Sequence, residues 1–115
     1  MGDDTVRVEI GRAGPLTLIA LAGDIDQESV LSMRAVLDQL SVDEQVLVDM
    51  ARVRFIDVSG LNALVAQKLW MRRGSGSFHI CNPSSAVRRI VEISGFGSTL
   101  LFDPEPPDPP STSAH

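Results

Sequence analysis

Aromatic residues are scarce in this chain: no tyrosine, one tryptophan and four phenylalanines in 115 residues. Its core must therefore be built mostly from aliphatic side chains. Cys81 is the only cysteine, which excludes an internal disulfide and gives no hint of secretion. Cations are outnumbered, with 10 Lys and Arg against 15 Asp and Glu and a formal charge of −5. That balance argues against nucleic acid and against anionic membrane surfaces, both of which select clustered Lys and Arg. A basic or neutral protein partner suits it better. No apolar run approaches the roughly 20 residues that a membrane span requires, so membrane insertion is not expected. The first ten residues, MGDDTVRVEI, are acidic and lack the apolar centre of a secretory leader, so the expected location is cytoplasmic.

What remains is ordinary for a soluble globular protein, with 43% hydrophobic and 22% charged residues. The length suits a single domain, expected over 1–103, followed by a Pro-rich, acidic tail (DPEPPDPPSTSAH) with no apolar face. Disorder is expected over 104–115. There is no internal repeat.

Val6, Val8 and Ile10 alternate with charged residues, the period of a half-exposed strand. GRAGP then predicts a loop of several residues before a second strand, LTLIALAG. Past GDID the period lengthens. Val30, Met33, Leu37 and Leu40 recur at three- and four-residue steps and predict a helix over 27–40, with Asp26 as its cap and Glu28 in its first turn. VLVDM (46–50) is nearly continuously apolar, as in a central strand covered on both faces.

A second helix is expected from Leu61 to Arg73, stopped at Gly74, with a core stripe of Leu61, Leu64, Val65 and Leu69. Ala63, Ala66 and Trp70 form a second stripe on it, which is a partner surface if the domain leaves it uncovered. SFHIC (77–81) is the fourth strand. Asn82 and Pro83 fit the cap and first position of a third helix with Val87, Ile90 and Val91 inward. SGF (94–96) fits a glycine ending in which Phe96 touches Val91, and STLLF is a short fifth strand. The order β-β-α-β-α-β-α-β defines an α/β fold with a mixed, mostly parallel sheet and helices packed on it. Loops beyond the carboxyl ends of such strands gather on one edge, which commonly carries function. GDID and IDVSG should both open there.

Ser59, in IDVSGL, is the residue with most to explain. As a helix N-cap its oxygen would accept from free amides of the following turn, and capping alone accounts for a serine there. It lacks the G-x-S-x-G frame of a hydrolase nucleophile, and a triad would need a histidine base. Only His79, inside a strand, and His115, at the chain end, are on offer. No catalytic residue is expected and the chain reads as a non-enzyme. Phosphorylation stays open beside capping: a helix N-terminus tolerates phosphate, and Asp24, Asp26 and Asp57 would make the edge strongly acidic.

Asp24 and Asp26, one residue apart in a turn, serve more often as turn former and cap than as a catalytic or metal pair. Neither a metal nor a cofactor is expected. GSGSF (74–78) follows a helix and precedes a strand, the reverse of a dinucleotide-binding loop, so it reads as a helix end and turn. Cys81 reads as a small buried apolar residue.

Three blocks in order, LAGDID, VRFIDVSGLNAL and ICNPSSAVRRIVEISGF, resemble STAS domains, the family shared by sulfate transporters and bacterial anti-sigma factor antagonists. A stand-alone chain of this length resembles the antagonists most. The resemblance implies binding to an anti-sigma factor, often a serine kinase, with release of a sigma factor. It implies phosphorylation of the serine before the glycine, here Ser59, and reversal by a phosphatase. It places Ser59, Asp26 and Asp57 on the docking edge, and the neighbouring Asp24, Val58, Gly60, Leu61 and Asn62 are expected to bind the partner with them, in a monomer or weak dimer. The alternative is an accessory or ligand- or redox-sensing STAS module of a transporter or larger signalling assembly, with Cys81 as the only thiol. Two positions depart from the family pattern. Val58 stands where Ser or Thr is common, and the Pro-rich tail replaces a C-terminal helix.

Overall fold

The computed structural model describes residues 6–95. Within them the elements are β1 (Arg7–Ala13), β2 (Leu16–Ile25), α1 (Val30–Leu37), β3 (Gln45–Ile56), α2 (Val58–Met71), β4 (Ser77–Cys81) and α3 (Ser85–Ser94). The sheet order is β1-β2-β3-β4, with β1 antiparallel to β2 and the later pairs parallel. The predicted fifth strand, the Phe96 contact and the 104–115 tail lie outside the described residues.

The first hairpin is tighter than expected. Ala13 pairs with Leu16, so the loop is only Gly14 and Pro15. Gly14 has φ 62, a conformation that costs a residue without a Cβ nothing and that suits the first central position of a tight hairpin turn. Ladder hydrogen bonds thus hold GRA in the strand.

The two parallel crossovers, through α1 and α2, both step in the same direction across the sheet. Right-handed connections therefore put both helices on one face. Ile19, Leu21 and Ile25 of β2, Val46, Val48, Met50, Val53 and Ile56 of β3, and Phe78 and Ile80 of β4 point into that layer and are buried. They meet Met33 and Leu37 of α1, Leu61, Leu64 and Met71 of α2, and Val87 and Val91 of α3. Leu47 and Asp49, facing the other way, are half-exposed. β3 is accordingly covered on one face, not two, because every helix of the described residues packs on the same side. It also runs to Ile56, well past the predicted Met50. Register shifts against β2 re-aim its last residues so that Asp24 lies opposite Phe55 and Ile25 opposite Ile56.

The helix boundaries differ where side chains compete for the capping position. α1 is shorter than 27–40: residues 27–29 and 38–39 are turns, and the first helical amide, Val30 N–H, donates to Asp26 O at 2.8 Å. Ser29 rather than Asp26 therefore holds the cap position, with no side-chain cap bond, and Glu28 lies ahead of the first helical turn. Ser84, rather than Asn82, caps α3; its hydroxyl accepts from Val87 N–H at 3.3 Å while Asn82 turns the chain with φ 51. α3 ends as expected at Gly95, which has φ 75 and donates to Val91 O. GSGSF is the expected helix end and turn. Gly76 N–H and Ser77 N–H donate to Val42 O and Glu44 O at 2.9 Å each, locking this turn to the entrance of β3.

Candidate functional site

The carboxyl ends of β2 and β3 form one edge, and α1 and α2 start from it. Asp57 N–H donates to Ile25 O at 3.1 Å, which joins the β3–α2 corner to the end of β2. GDID and IDVSG therefore do open on one edge.

The cap of α2 is Asp57, not Ser59. Asp57 has extended backbone (φ −109, ψ −173), the conformation of an N-cap, whereas Val58 and Ser59 are already helical. Its Oδ1 accepts from Ser59 N–H at 3.0 Å and from Gly60 N–H at 3.2 Å, two of the amides that a helix start leaves without an internal partner. Ser59 occupies the second helical position. Its hydroxyl donates to the same Asp57 Oδ1 at 2.6 Å, the length of a charge-assisted bond. One carboxylate oxygen thus holds two backbone amides and the serine hydroxyl. Ser59 itself is half-exposed.

Gly60 explains how closely this corner can pack. A Cβ there would lie 2.6 Å from Ile25 Cγ2 and 2.9 Å from Ile56 Cγ1, so only glycine lets the first turn of α2 rest on the strand ends. Leu61, next in line, is fully buried in the core. Gly60 and Leu61 support the edge from beneath, while Val58 and Asn62 face solvent.

The second corner is built similarly. Asp26 Oδ1 accepts from Glu28 N–H at 3.0 Å and Ser29 N–H at 2.9 Å. Ser29 Oγ accepts from Asp26 N–H at 2.9 Å and lies 2.7 Å from Asp24 O and 3.0 Å from Asp26 Oδ1. The Ser29 amide, then its hydroxyl, hold the Asp26 carboxyl below its ordinary range. Asp24 is half-buried and pairs with Arg54 at 3.3 Å. All three aspartates share the edge, each already engaged: Asp24 by an arginine, Asp57 by helix-start amides and Asp26 by amides of the turn before α1. Free acidity is therefore lower than three carboxylates suggest. Around this corner two large apolar side chains are exposed, Val58 at 50% and Phe55 at 49%, beside the exposed Arg54. Sequence reasoning missed Phe55, Arg54 and Ser29. The FI pair after Arg54 breaks strict alternation, the one signal of a strand continuing through an irregular register.

His79 lies in β4 opposite Leu47, about 30 Å along β3 from the Ser59 corner at the usual rise per strand residue. It is not placed to act as a base on Ser59. Cys81 is half-buried; burial, and secondarily the Asp49 charge, push its thiol up and disfavour the reactive thiolate. Among the described residues no three His, Cys, Asp or Glu side chains cluster as metal ligands, and no helix is long and apolar enough to cross a membrane.

The fold has known counterparts. The sequence family described as Mlab, STAS domain matches residues 8–102, and the chain belongs to the STAS domain family. The anti-sigma F factor antagonist of Paenibacillus polymyxa is 20% identical over 104 residues, covering 87% of this chain and 89% of that protein. An anti-sigma factor antagonist from Mycobacterium paratuberculosis superposes with a TM-score of 0.76 at 18% identity over 90% of both chains. The Bacillus cell fate determinant SpoIIAA in its phosphorylated form gives a TM-score of 0.62 at 21% identity, covering 79% of this chain and 86% of that one. At such identities the superpositions establish a shared fold.

Proposed function

We propose that this chain is an anti-sigma factor antagonist: a cytoplasmic, non-enzymatic protein that binds an anti-sigma factor through the Ser59 edge and so frees a sigma factor. In this reading the anti-sigma factor is a serine kinase that inactivates the antagonist by phosphorylating Ser59, and a phosphatase restores it. The observation that carries the reading is the half-exposed Ser59, at the second position of α2 on the edge that ends β2 and β3. Family membership and the antagonist relatives support it.

Phosphoryl transfer would form an Oγ–P bond on Ser59 and break the bond between the γ-phosphorus of ATP and its bridging oxygen, with ADP leaving and the hydroxyl proton passing to Asp57 or solvent. The product carries about −1.5 to −2 charges at neutral pH. These would sit against the Asp57 carboxylate, 2.6 Å from the unmodified oxygen. Phosphate is itself a good ligand for helix-start amides. It would take over the Ser59 and Gly60 N–H groups and turn Asp57 outward, so the helix keeps a cap while the rim gains charge. To move a partner from about 99% bound to about 1% bound, the change must cost the complex about 5.5 kcal/mol. Like charge buried at a desolvated contact is of the right order for that.

The test is intact mass after incubation with ATP and the cognate anti-sigma kinase, with Ser59→Ala as control, followed by titration of each form against that partner. One phosphate added to the wild type alone, with Ser59→Ala bound and Ser59→Glu released, is the expected result. Equal binding by Ser59→Ala and Ser59→Glu would refute the switch. No binding by the wild type would refute the antagonist role.

A further inference from the structure

α2 has an unusual solvent face. A surface helix normally carries charge on its outer side. Over Val58–Met71 the only charged residue is Lys68, and it points inward: it is 5% exposed and its Nζ donates to Phe78 O at 2.8 Å. The outward residues are Val58, Asn62, Ala66, Leu69 and Trp70. Leu69 is 44% and Trp70 40% exposed, so Leu69 leaves the core stripe expected of it; Ala63, expected in the second stripe, is buried. At about 100° per residue the five outward positions fall within one sector of roughly 120°, and Ser59 falls in the same sector at its amino end. The stripe and the serine are one continuous surface about 18 Å long at helical rise.

We infer that this uncharged stripe, from Val58 to Trp70, is the body of the surface on which the anti-sigma factor docks, with Ser59 at one end of it. The inference rests on the antagonist reading and extends it. A specific interface covers about 800 Å² on each partner, far more than the first turn of one helix can supply. The neighbouring surface able to supply the rest at low desolvation cost is the stripe, because burying it strands no charge. Trp is also the residue type most enriched among interface anchors. Charge sets the orientation. Asp24, Asp26 and Asp57 lie at the Ser59 end, and the exposed Arg72 and Arg73 follow Trp70. The matching segment of the partner is apolar along its length and acidic where it meets the arginines, with no cation at Ser59 that would answer a phosphate there.

Trp70 is the only tryptophan, so its emission reports on the far end of the stripe directly. The experiment titrates the wild type, Leu69→Glu and Trp70→Ala with the cognate anti-sigma factor, with Arg7→Ala on β1 as control. Its readouts are affinity by calorimetry, Trp70 emission in complex with a partner made free of tryptophan, and the sedimentation of each chain alone. Expected are a blue shift of Trp70 in the complex, at least tenfold weaker binding by Leu69→Glu, and wild-type binding by Arg7→Ala. Unshifted Trp70 emission in a complex of wild-type affinity would overturn the inference, whether or not Leu69→Glu folds. So would a wild-type dimer dispersed by Leu69→Glu that leaves partner affinity unchanged, since a second copy would then be the occupant. A wild type that fails to bind at all overturns the antagonist reading and this inference with it. Binding that is sensitive to Ser59→Glu but not to Leu69→Glu overturns the inference alone.

Discussion

Two serines stand at successive β–α corners of this domain, each hydrogen-bonded to an aspartate that also holds two backbone amides of the corner. Ser29 is 4% exposed, and its hydroxyl both receives the Asp26 amide and reaches Asp24 O. Ser59 is half-exposed and its hydroxyl has one partner among the described residues, Asp57 Oδ1. Nearly the same chemistry therefore has opposite consequences. Ser29 is a fastener between the end of β2 and α1, and its oxygen is committed on every side. Ser59 is held by a single bond, on a half-exposed residue that another molecule can reach. Burial and bond count, not residue type, separate a structural serine from one fit for modification.

The contrast can be broken most severely from beneath the Ser59 corner. Gly60→Val would drive branched carbon into Ile25 and Ile56 and should cost about 3 kcal/mol, as overpacking does. Chemical denaturation measures the loss, and a variant of wild-type stability would show that the strand ends yield. Ser29→Ala comes next. It strands the Asp26 amide and Asp24 carbonyl in a part-buried site and should cost about 2 kcal/mol in the same assay. Ser59→Ala, by contrast, should cost about 1 kcal/mol or less, because Asp57 keeps both amides. If Ser59→Ala proved as costly as Ser29→Ala, the distinction between fastener and rim would fail.

The smallest effect is pH dependence at the Ser29 corner. The Asp26 carboxyl is held below its ordinary value in the folded chain, so its ionised form stabilises the fold. That contribution is fully present above the unfolded value near 3.9 and is lost as pH falls through the lower folded value. Asp26→Asn should therefore lie closest to the wild type in stability at the acid end, below about pH 4, and furthest from it near neutrality. Melting temperatures of the two chains from pH 3 to 7 would test this; a difference that grew toward acid would refute it.

Much of the architecture could be read from residue order. Alternation marked β1, the GRAGP break marked the start of β2, three- and four-residue recurrence marked the helices, and Gly95 ended α3 where expected. The boundaries misread were those settled by competition between nearby side chains. Asp57 and Ser59 both suit a cap, and so do Asn82 and Ser84; each pair was decided by which residue the preceding segment leaves extended. β3 was read too short because register shifts spoil its alternation, and a shift is a property of two paired strands rather than of either sequence.

By itself, then, the chain's sequence determined the succession of strands and helices and the placing of a serine between an aspartate and a glycine at a β–α corner, because these follow from local periodicity and backbone preference. The packed structure decided which oxygen caps α2, that Asp24 is answered by Arg54, and that Leu69 faces out while Ala63 faces in. Periodicity gives the angles between residues on a helix. It does not say which sector the sheet will cover, and that is settled only when α2 is seated on β3 and β4 through Gly60 at one end and Lys68 at the other.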